Sequence, residues 1–398
     1  MSSIDIAGNQ NIVGDHNVIH VFQQMEGAAR RQQQDPRHML RVLVLLAAPV
    51  TGPQPNTPTP AWLDLHAEWQ HLADAVRRSG APIALIRLAP PTLDALRFAL
   101  SPRAVEQNLA PHVLHVSGHG WSEGLYLEDA YGRAHALRTA DLLALAQDLP
   151  QPLRLAVFNA CLTAAGANAA AQAAVDGGLA RAALGHTAPV QDDTAIRFAA
   201  ALYAELARGG YPLAEALARA QAAIAGQPDR YTPRPFGDLS VELGGLPAGE
   251  PLIADGRPPG SLPIPAADAF FGRGEELVAL AEALEHDHRR VVVLSGVAGI
   301  GKSALSVEAA RRNAWRFPGG VTAARAYDQS RAIKERLGDV VGLSFTLYNL
   351  STLAERDGKL NEAIELMEQV VAIDKRVGHP DLPSDTRRLE SLKRERKL

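Results

Sequence analysis

Between residues 41 and 246, short uninterrupted apolar runs begin at Arg41, Ile83, Val113, Leu153 and Leu179, each followed by a stretch long enough for a helix. Runs without polar alternation read as strands buried on both faces, the habit of parallel sheets covered by helices. The pattern predicts helices over Ala61–Ser79, Thr92–Leu100, Arg138–Leu149, Ala165–Asp176, Thr194–Arg208 and Leu213–Ala225. It also predicts a hairpin at Leu125–Glu128 and an edge strand at Leu239–Leu243. Strands and helices alternating at this interval imply right-handed crossovers. The expected class is therefore α/β, a mostly parallel sheet flanked by helices. Two of the runs end in reactive side chains. The run from Val113 ends in Ser117-Gly118-His119-Gly120, and the run from Leu153 ends in Asn159-Ala160-Cys161, the only cysteine in the chain. Reactive groups in such sheets gather beyond the carboxyl ends of the strands, so one edge should receive both His119 and Cys161.

The chemistry such a pair supports is nucleophilic. A free thiol is only a few per cent thiolate at neutral pH and needs a neighbouring imidazole to take its proton. His119 would serve as that base and later protonate a leaving amine. The backbone N–H groups of Cys161 and Gly120 are candidate oxyanion donors, and glycine at 120 lets a substrate carbonyl approach the chain. The competing reading makes Cys161 an ordinary buried thiol and His119 a turn residue. His115, earlier on the same strand, reads as a packing histidine.

The order His-Gly, then Asn-Ala-Cys, then Pro189-Val190-Gln191-Asp192-Asp193 before a long amphipathic helix resembles the caspase-like CHAT proteases, relatives of separase. The resemblance covers roughly residues 41–246 and implies a caspase-like fold and a cysteine peptidase that needs no cofactor. The His119 to Cys161 separation, 161 − 119 = 42, is close to the separation of about 50 in caspases. The resemblance further implies that an acidic residue in the third motif receives a basic P1 side chain. Asp192 and Asp193 are the candidates, with Asp192 assigned the pocket and Asp193 the cap of the helix expected from Thr194.

The flanking segments differ in character. In residues 1–22 the hexad Gly8-Asn9-Gln10-Asn11-Ile12-Val13 is followed by Gly14-Asp15-His16-Asn17-Val18-Ile19, glycine first and a β-branched pair last. Such repeats favour stacked rungs with Asn/Gln ladders and resemble the amyloid-signalling motifs at the termini of bacterial defence proteins. That resemblance implies homotypic or adaptor assembly through residues 8–19; a hairpin or an unstructured tail is the alternative. Residues 23–40 read as a linker and 247–269 as a proline-dense spacer.

In 270–321, Phe270-Phe271-Gly272-Arg273-Gly274-Glu275-Glu276-Leu277 resembles the opening of NB-ARC-type NTPases. Gly296-Val297-Ala298-Gly299-Ile300-Gly301-Lys302-Ser303 is a P-loop after an apolar run at Val291–Leu294. The amides around Gly296, Gly299 and Gly301 would cradle phosphates of ATP, Lys302 would reach the β/γ groups and Ser303 would hold Mg²⁺. No strand ending in acidic residues follows, so the NTPase reads as internally truncated, and nucleotide binding is doubtful on that ground. Residues 322–398 repeat Ala332-Ile333 and Leu337-Gly338 as Ala372-Ile373 and Val377-Gly378, an offset of 372 − 332 = 40. They resemble tetratricopeptide repeats, which implies a protein partner.

A formal net charge of −4 gives no basic field for nucleic acid. One cysteine suits a reducing compartment, and the absence of a long apolar stretch or a basic-then-apolar leader argues against membrane and export. The expectation is a cytoplasmic cysteine endopeptidase, the effector of a bacterial defence or regulated cell-death system, cutting a protein substrate after a basic residue. The rival is an inactive scaffold that assembles partners through its N-terminal motif and its repeats.

Overall fold

The computed structural model describes residues 38–255 apart from 55–56, 62, 103–109, 211 and 244–249, then 272–285, 300–317 and 331–396 apart from 333 and 357–358, and isolated positions 29, 35, 292 and 294. The assembly motif expected at 8–19 lies outside these residues. The chain divides into two compact units, the first holding the described residues up to 294 and the second those from 300.

In the first unit the apolar runs are strands. In chain order the elements are β1 (Leu40–Leu46), α1 (Leu65–Ser79), β2 (Ile83–Arg87), α2 (Leu93–Leu100), β3 (Val113–Ser117), β4 (Gly120–Trp121), β5 (Gly124–Glu128), β6 (Ala134–Arg138) and α3 (Thr139–Asp148). There follow β7 (Leu153–Asn159), α4 (Ala170–Asp176), β8 (Ala180–His186), α5 (Asp192–Arg208), α6 (Leu213–Ala223), β9 (Pro233–Gly237), β10 (Leu252–Asp255) and α7 (Gly274–Glu285). The main sheet is seven-stranded in the order β10-β2-β1-β3-β7-β8-β9, parallel throughout except where β9 pairs antiparallel with β8. A small antiparallel sheet, β4-β5-β6, replaces the single expected hairpin.

Side-chain alternation along β1 shows why the strands are mainly apolar. Leu40, Val42, Val44 and Leu46 face a core built with Trp69, Leu72 and Val76 of α1 and Phe198, Leu202 and Tyr203 of α5. Leu43 and Leu45 face the other core, with Leu93 and Leu96 of α2, Leu142 and Leu145 of α3 and the alanines of α4. Burying both faces favours apolar residues in mid-strand, and the polar exception, His115 in the middle of β3, is fully buried with Nε2 bonded to Glu68.

Several boundaries move for physical reasons. Helix α1 starts at Leu65, not Ala61, because the Asp64 carboxylate caps it by accepting the Ala67 N–H at 2.9 Å. The segment Leu239–Leu243 is not a strand: Val241 and Leu243 are buried, but only a single bridge joins Glu242 to Pro212. That edge of the sheet belongs to β9, whose prolines an edge strand tolerates. Leu252–Asp255, inside the expected spacer, is the strand at the opposite edge.

The second unit begins with α8 (Lys302–Asn313) and continues with α9 (Val340–Arg356), α10 (Leu360–Val377) and α11 (Leu382–Glu395). Leu347, Leu350, Ala363, Ile364, Met367, Val370, Leu389 and Leu392 join α9, α10 and α11 in one core. Ala363 is fully buried, and its carbonyl accepts from Ser351 Oγ at 2.9 Å. Helix α10 ends at Gly378, whose φ of 66° is left-handed. A Cβ there would meet nothing within 4 Å, so Gly378→Ala tests backbone conformation alone. Denaturant unfolding followed by circular dichroism should show a loss of about 1 kcal/mol in this unit.

Candidate functional site

Register decides what meets at the carboxyl edge of the sheet. Ser117 of β3 pairs with Asn159 of β7, and His119 and Cys161 each lie two residues beyond that pair. Gly120 packs so tightly against the cysteine turn that a Cβ on it would lie 2.4 Å from the Cys161 carbonyl oxygen and 2.9 Å from the Ala160 Cβ. The backbone at Gly120, one residue after His119, thus packs against the Cys161 turn.

Each side chain has a definite neighbour. His119 Nε2 donates to the Ala61 carbonyl at 2.6 Å, on the loop that leads into α1. A carbonyl only accepts, so Nε2 carries the proton in the neutral ring and Nδ1 is the bare nitrogen. Cys161 is partly exposed. Its Sγ accepts from the Val190 N–H at 3.4 Å and stands 3.8 Å from the Val190 carbonyl, in the loop that carries the Pro-Val-Gln-Asp-Asp motif. Leu162, next to the thiol, has a φ of 61°, the only non-glycine with positive φ among the described residues. Strained backbone of this kind gathers at functional turns and persists where its surroundings hold it. Here Thr163 does the holding. It is fully buried; its Oγ1 donates within reach of the Phe158 and Ala160 carbonyls at 3.0 and 2.9 Å and accepts the His186 N–H at 3.2 Å.

The two acidic candidates separate. Asp192 is the first residue of α5, half-buried, and its Oδ2 accepts the Asp64 N–H at 3.1 Å. Burial, the largest influence, pushes its carboxyl above the ordinary value; the Asp64 N–H opposes this, the Glu68 and Asp64 charges add to it, and the field of His119 lowers it. Asp192 therefore stands in the electrostatic neighbourhood of His119. Asp193 is not the cap. Helix α5 starts before Thr194, and the Asp193 carboxylate pairs with Arg197 at 2.7 Å on an exposed face. The N-cap is Gln191, whose side chain makes no capping bond; Asp229 braces the helix start by accepting from Gln191 N at 2.6 Å and Thr194 Oγ1 at 2.7 Å.

A buried polar network lies beneath this edge. Its centre is Glu68 of α1, 1% exposed, bonded to Ser117 Oγ at 2.6 Å, Asn159 Nδ2 at 2.8 Å and His115 Nε2 at 3.3 Å. No motif marks Glu68 in the sequence. The available signal was a carboxylate set three residues after Leu65 and four before Leu72, in the middle of the apolar stripe of an amphipathic helix.

The P-loop candidates belong to the second unit as far as they are described. Gly296 and Gly299 lie outside the described residues. Gly301 has a φ of 87° and precedes the first residue of α8, Lys302; Ser303 is the next helical residue. Of the expected strand at 291–294, the described Val292 and Leu294 carry no strand. A cavity of ≈ 270 Å³ lies at the opposite, amino-terminal edge of the main sheet, lined by His112, Arg154 and Arg181 among others. Burial, then the Arg41 and Arg154 charges, lowers His112 to about 3. Among the described residues no helix is long and apolar enough to cross a membrane.

A mostly parallel sheet between helix layers, with a thiol and an imidazole at consecutive strand ends, defines a caspase-like α/β unit. The sequence profile of the family described as the CHAT domain matches residues 16–244, more than half of the 398 residues. The chain belongs to the CHAT domain family, a caspase-like cysteine peptidase family. No curated protein matches the chain.

Proposed function

We propose that this CHAT-domain protein is a cysteine endopeptidase in which Cys161 is the nucleophile and His119 the general base. The observation that carries the reading is the His119 Nε2 to Ala61 carbonyl bond, on a residue whose neighbour Gly120 packs against the Cys161 turn. It fixes the tautomer, so Nδ1 is the nitrogen that takes the thiol proton. The thiolate attacks the scissile carbonyl, and the oxyanion meets the backbone N–H groups of Cys161 and Gly120. The imidazolium returns its proton to the leaving amine, and the acyl-enzyme is released by water. The Ala61 carbonyl orients the ring through this cycle as an anionic third residue does in other triads.

Asp192 is the better candidate for a basic P1 side chain, because it is half-buried within the field of His119 while Asp193 is already paired with Arg197. Its present partner is a backbone N–H, which a guanidinium can displace through charge-assisted pairing. The order of segments, with an assembly-type N-terminus and a helical repeat region, supports a place as the proteolytic effector of a defence or cell-death system.

Peptidyl chloromethyl ketones differing only at P1 test this reading directly by intact mass. An arginine reagent should alkylate Cys161 once, at least about tenfold faster than its aspartate or leucine counterpart. His119→Ala should abolish the reaction. Equal rates for all three reagents, unchanged in His119→Ala, would leave the chain a scaffold that binds without cutting.

A further inference from the structure

We propose that Glu68 is a positioning residue for the Cys161–His119 pair, a buried carboxylate that clamps the carboxyl ends of β3 and β7 in one register. The inference rests on the peptidase reading and deepens it. Glu68 Oε2 accepts from Ser117 Oγ and Oε1 from Asn159 Nδ2, and these two residues are the register partners directly before the histidine and cysteine turns.

The polarity of the whole network follows from that one carboxylate. An ionised carboxylate only accepts, so Asn159 must turn its NH₂ toward Glu68 and its Oδ1 toward His186 Nε2 at 3.1 Å. His186 then carries its proton on Nε2, and its Nδ1 accepts from Thr232 Oγ1 at 2.9 Å. His115 likewise turns Nε2–H to Glu68. The backbone N–H of His186 reaches Thr163 Oγ1, which holds the Cys161 turn. A single buried anion thereby sets the amide orientation and the tautomers that support the turn from below.

The charge itself is accommodated. Glu68 lies in the first turn of α1, where the helix end favours an anion. Burial pushes its carboxyl upward, but the His115 bond and field and the Ser117 and Asn159 bonds outweigh it, so it lies below the ordinary carboxylate range. The titratable groups around it are His115 on β3, His186 on β8, and Tyr203 and Asp192 on α5. None is a fixed cation, so hydrogen bonds carry the stabilisation.

Glu68→Gln keeps the volume and removes the anion; Ser117 Oγ can accept the new NH₂ by turning its own proton to the Asn159 carbonyl at 3.2 Å, so what the variant takes away is the charge to which Asn159 and His115 donate. Cys161 is the only cysteine, so iodoacetamide alkylation reports on it without further engineering. In the full chain, Glu68→Gln should lower the alkylation rate at about pH 7 by tenfold or more. The loss should vanish at high pH, where the thiol ionises unaided. Ser117→Ala, which removes only the β3 strut, should shift the same profile in the same direction by less.

Thermal melts separate a general loss of stability from this effect, because a merely structural role leaves the rate–pH profile at 25 °C unmoved. A folded Glu68→Gln with the wild-type profile overturns the proposal. If that variant does not fold, a Ser117→Ala profile identical to wild type overturns it instead. A His119→Ala profile identical to wild type is a different failure, which removes the Cys–His pairing and both readings with it.

Discussion

Gly120→Ala is expected to silence Cys161 and to destabilise the first unit together. The added Cβ would lie 2.4 Å from the Cys161 carbonyl oxygen, 2.9 Å from the Ala160 Cβ and 3.0 Å from Thr163 Cγ2. None of these is the end of a flexible side chain. The carbonyl is backbone, the Ala160 methyl cannot rotate away, and Thr163 is pinned by its hydroxyl to two carbonyls and the His186 N–H. Relief must therefore come from moving the cysteine turn as a body. A displacement of this kind typically costs about a hundredfold in reactivity, and overpacking costs about 1–3 kcal/mol in stability. Gly226→Ala is the matched control, since a Cβ there meets nothing within 4 Å. Alkylation of Gly120→Ala by the arginine reagent at the wild-type rate would show that the close approach at 120 has no part in the site.

The same contacts explain what the sequence can and cannot disclose. The parallel core strands were legible because burial on both faces demands uninterrupted apolar runs, and those runs are visible at Leu40–Leu46 and Leu153–Asn159. That the turns carrying His119 and Cys161 follow neighbouring strands, with Ser117 opposite Asn159, was legible because strand ends in a parallel sheet share one edge. Edge strands were not. Pro233–Gly237 is only half-buried and contains two prolines, a composition that reads as loop until a neighbouring strand is known. Helix starts braced from elsewhere in the chain were equally hidden. Asp193 looks like the natural cap of the long helix by position, yet the N-cap is Gln191 and the helix start is braced by Asp229 from a distant loop.

Two features of the site were beyond any motif. The Ala61 carbonyl that orients His119 is a backbone group, which every residue type provides equally. Glu68 is a single side chain whose partners come from different strands, and helical periodicity shows only that it is out of place. Sequence thus discloses the groups that react sooner than the groups that hold them, because reactive residues cluster in short motifs while their supports are assembled by the fold.

Acidification is expected to act on the two units in opposite directions. In the first unit burial lowers His186 to about 4, with Asp229 and Glu68 opposing, and lowers His112 to about 3, both from an ordinary value near 6.5. A histidine held neutral by the fold contributes stability that is present above 6.5 and is lost as pH falls toward the lowered value. For His186, almost fully buried, that loss is about 3 kcal/mol between neutral pH and about pH 4; His112 adds less because water screens it. In the second unit the sign reverses. Ser344 Oγ fills Asp374 Oδ1 at 2.6 Å, and Asp374 Oδ2 is buried without a hydrogen-bond partner at ordinary distance. Burial first, and then Asp374, raises Asp385 to about 6. An acid held neutral by the fold contributes stability below its ordinary value near 3.9, and loses it as pH rises through about 6. Lowering the pH from 7 to 5 should weaken β7 and β8 while strengthening α10 and α11. Hydrogen exchange of peptides from these elements, corrected for intrinsic rates at each pH, reads the two separately. Asp385→Asn should flatten the second response and leave the first intact, and protection that falls in parallel in both units would refute the assignment of either group.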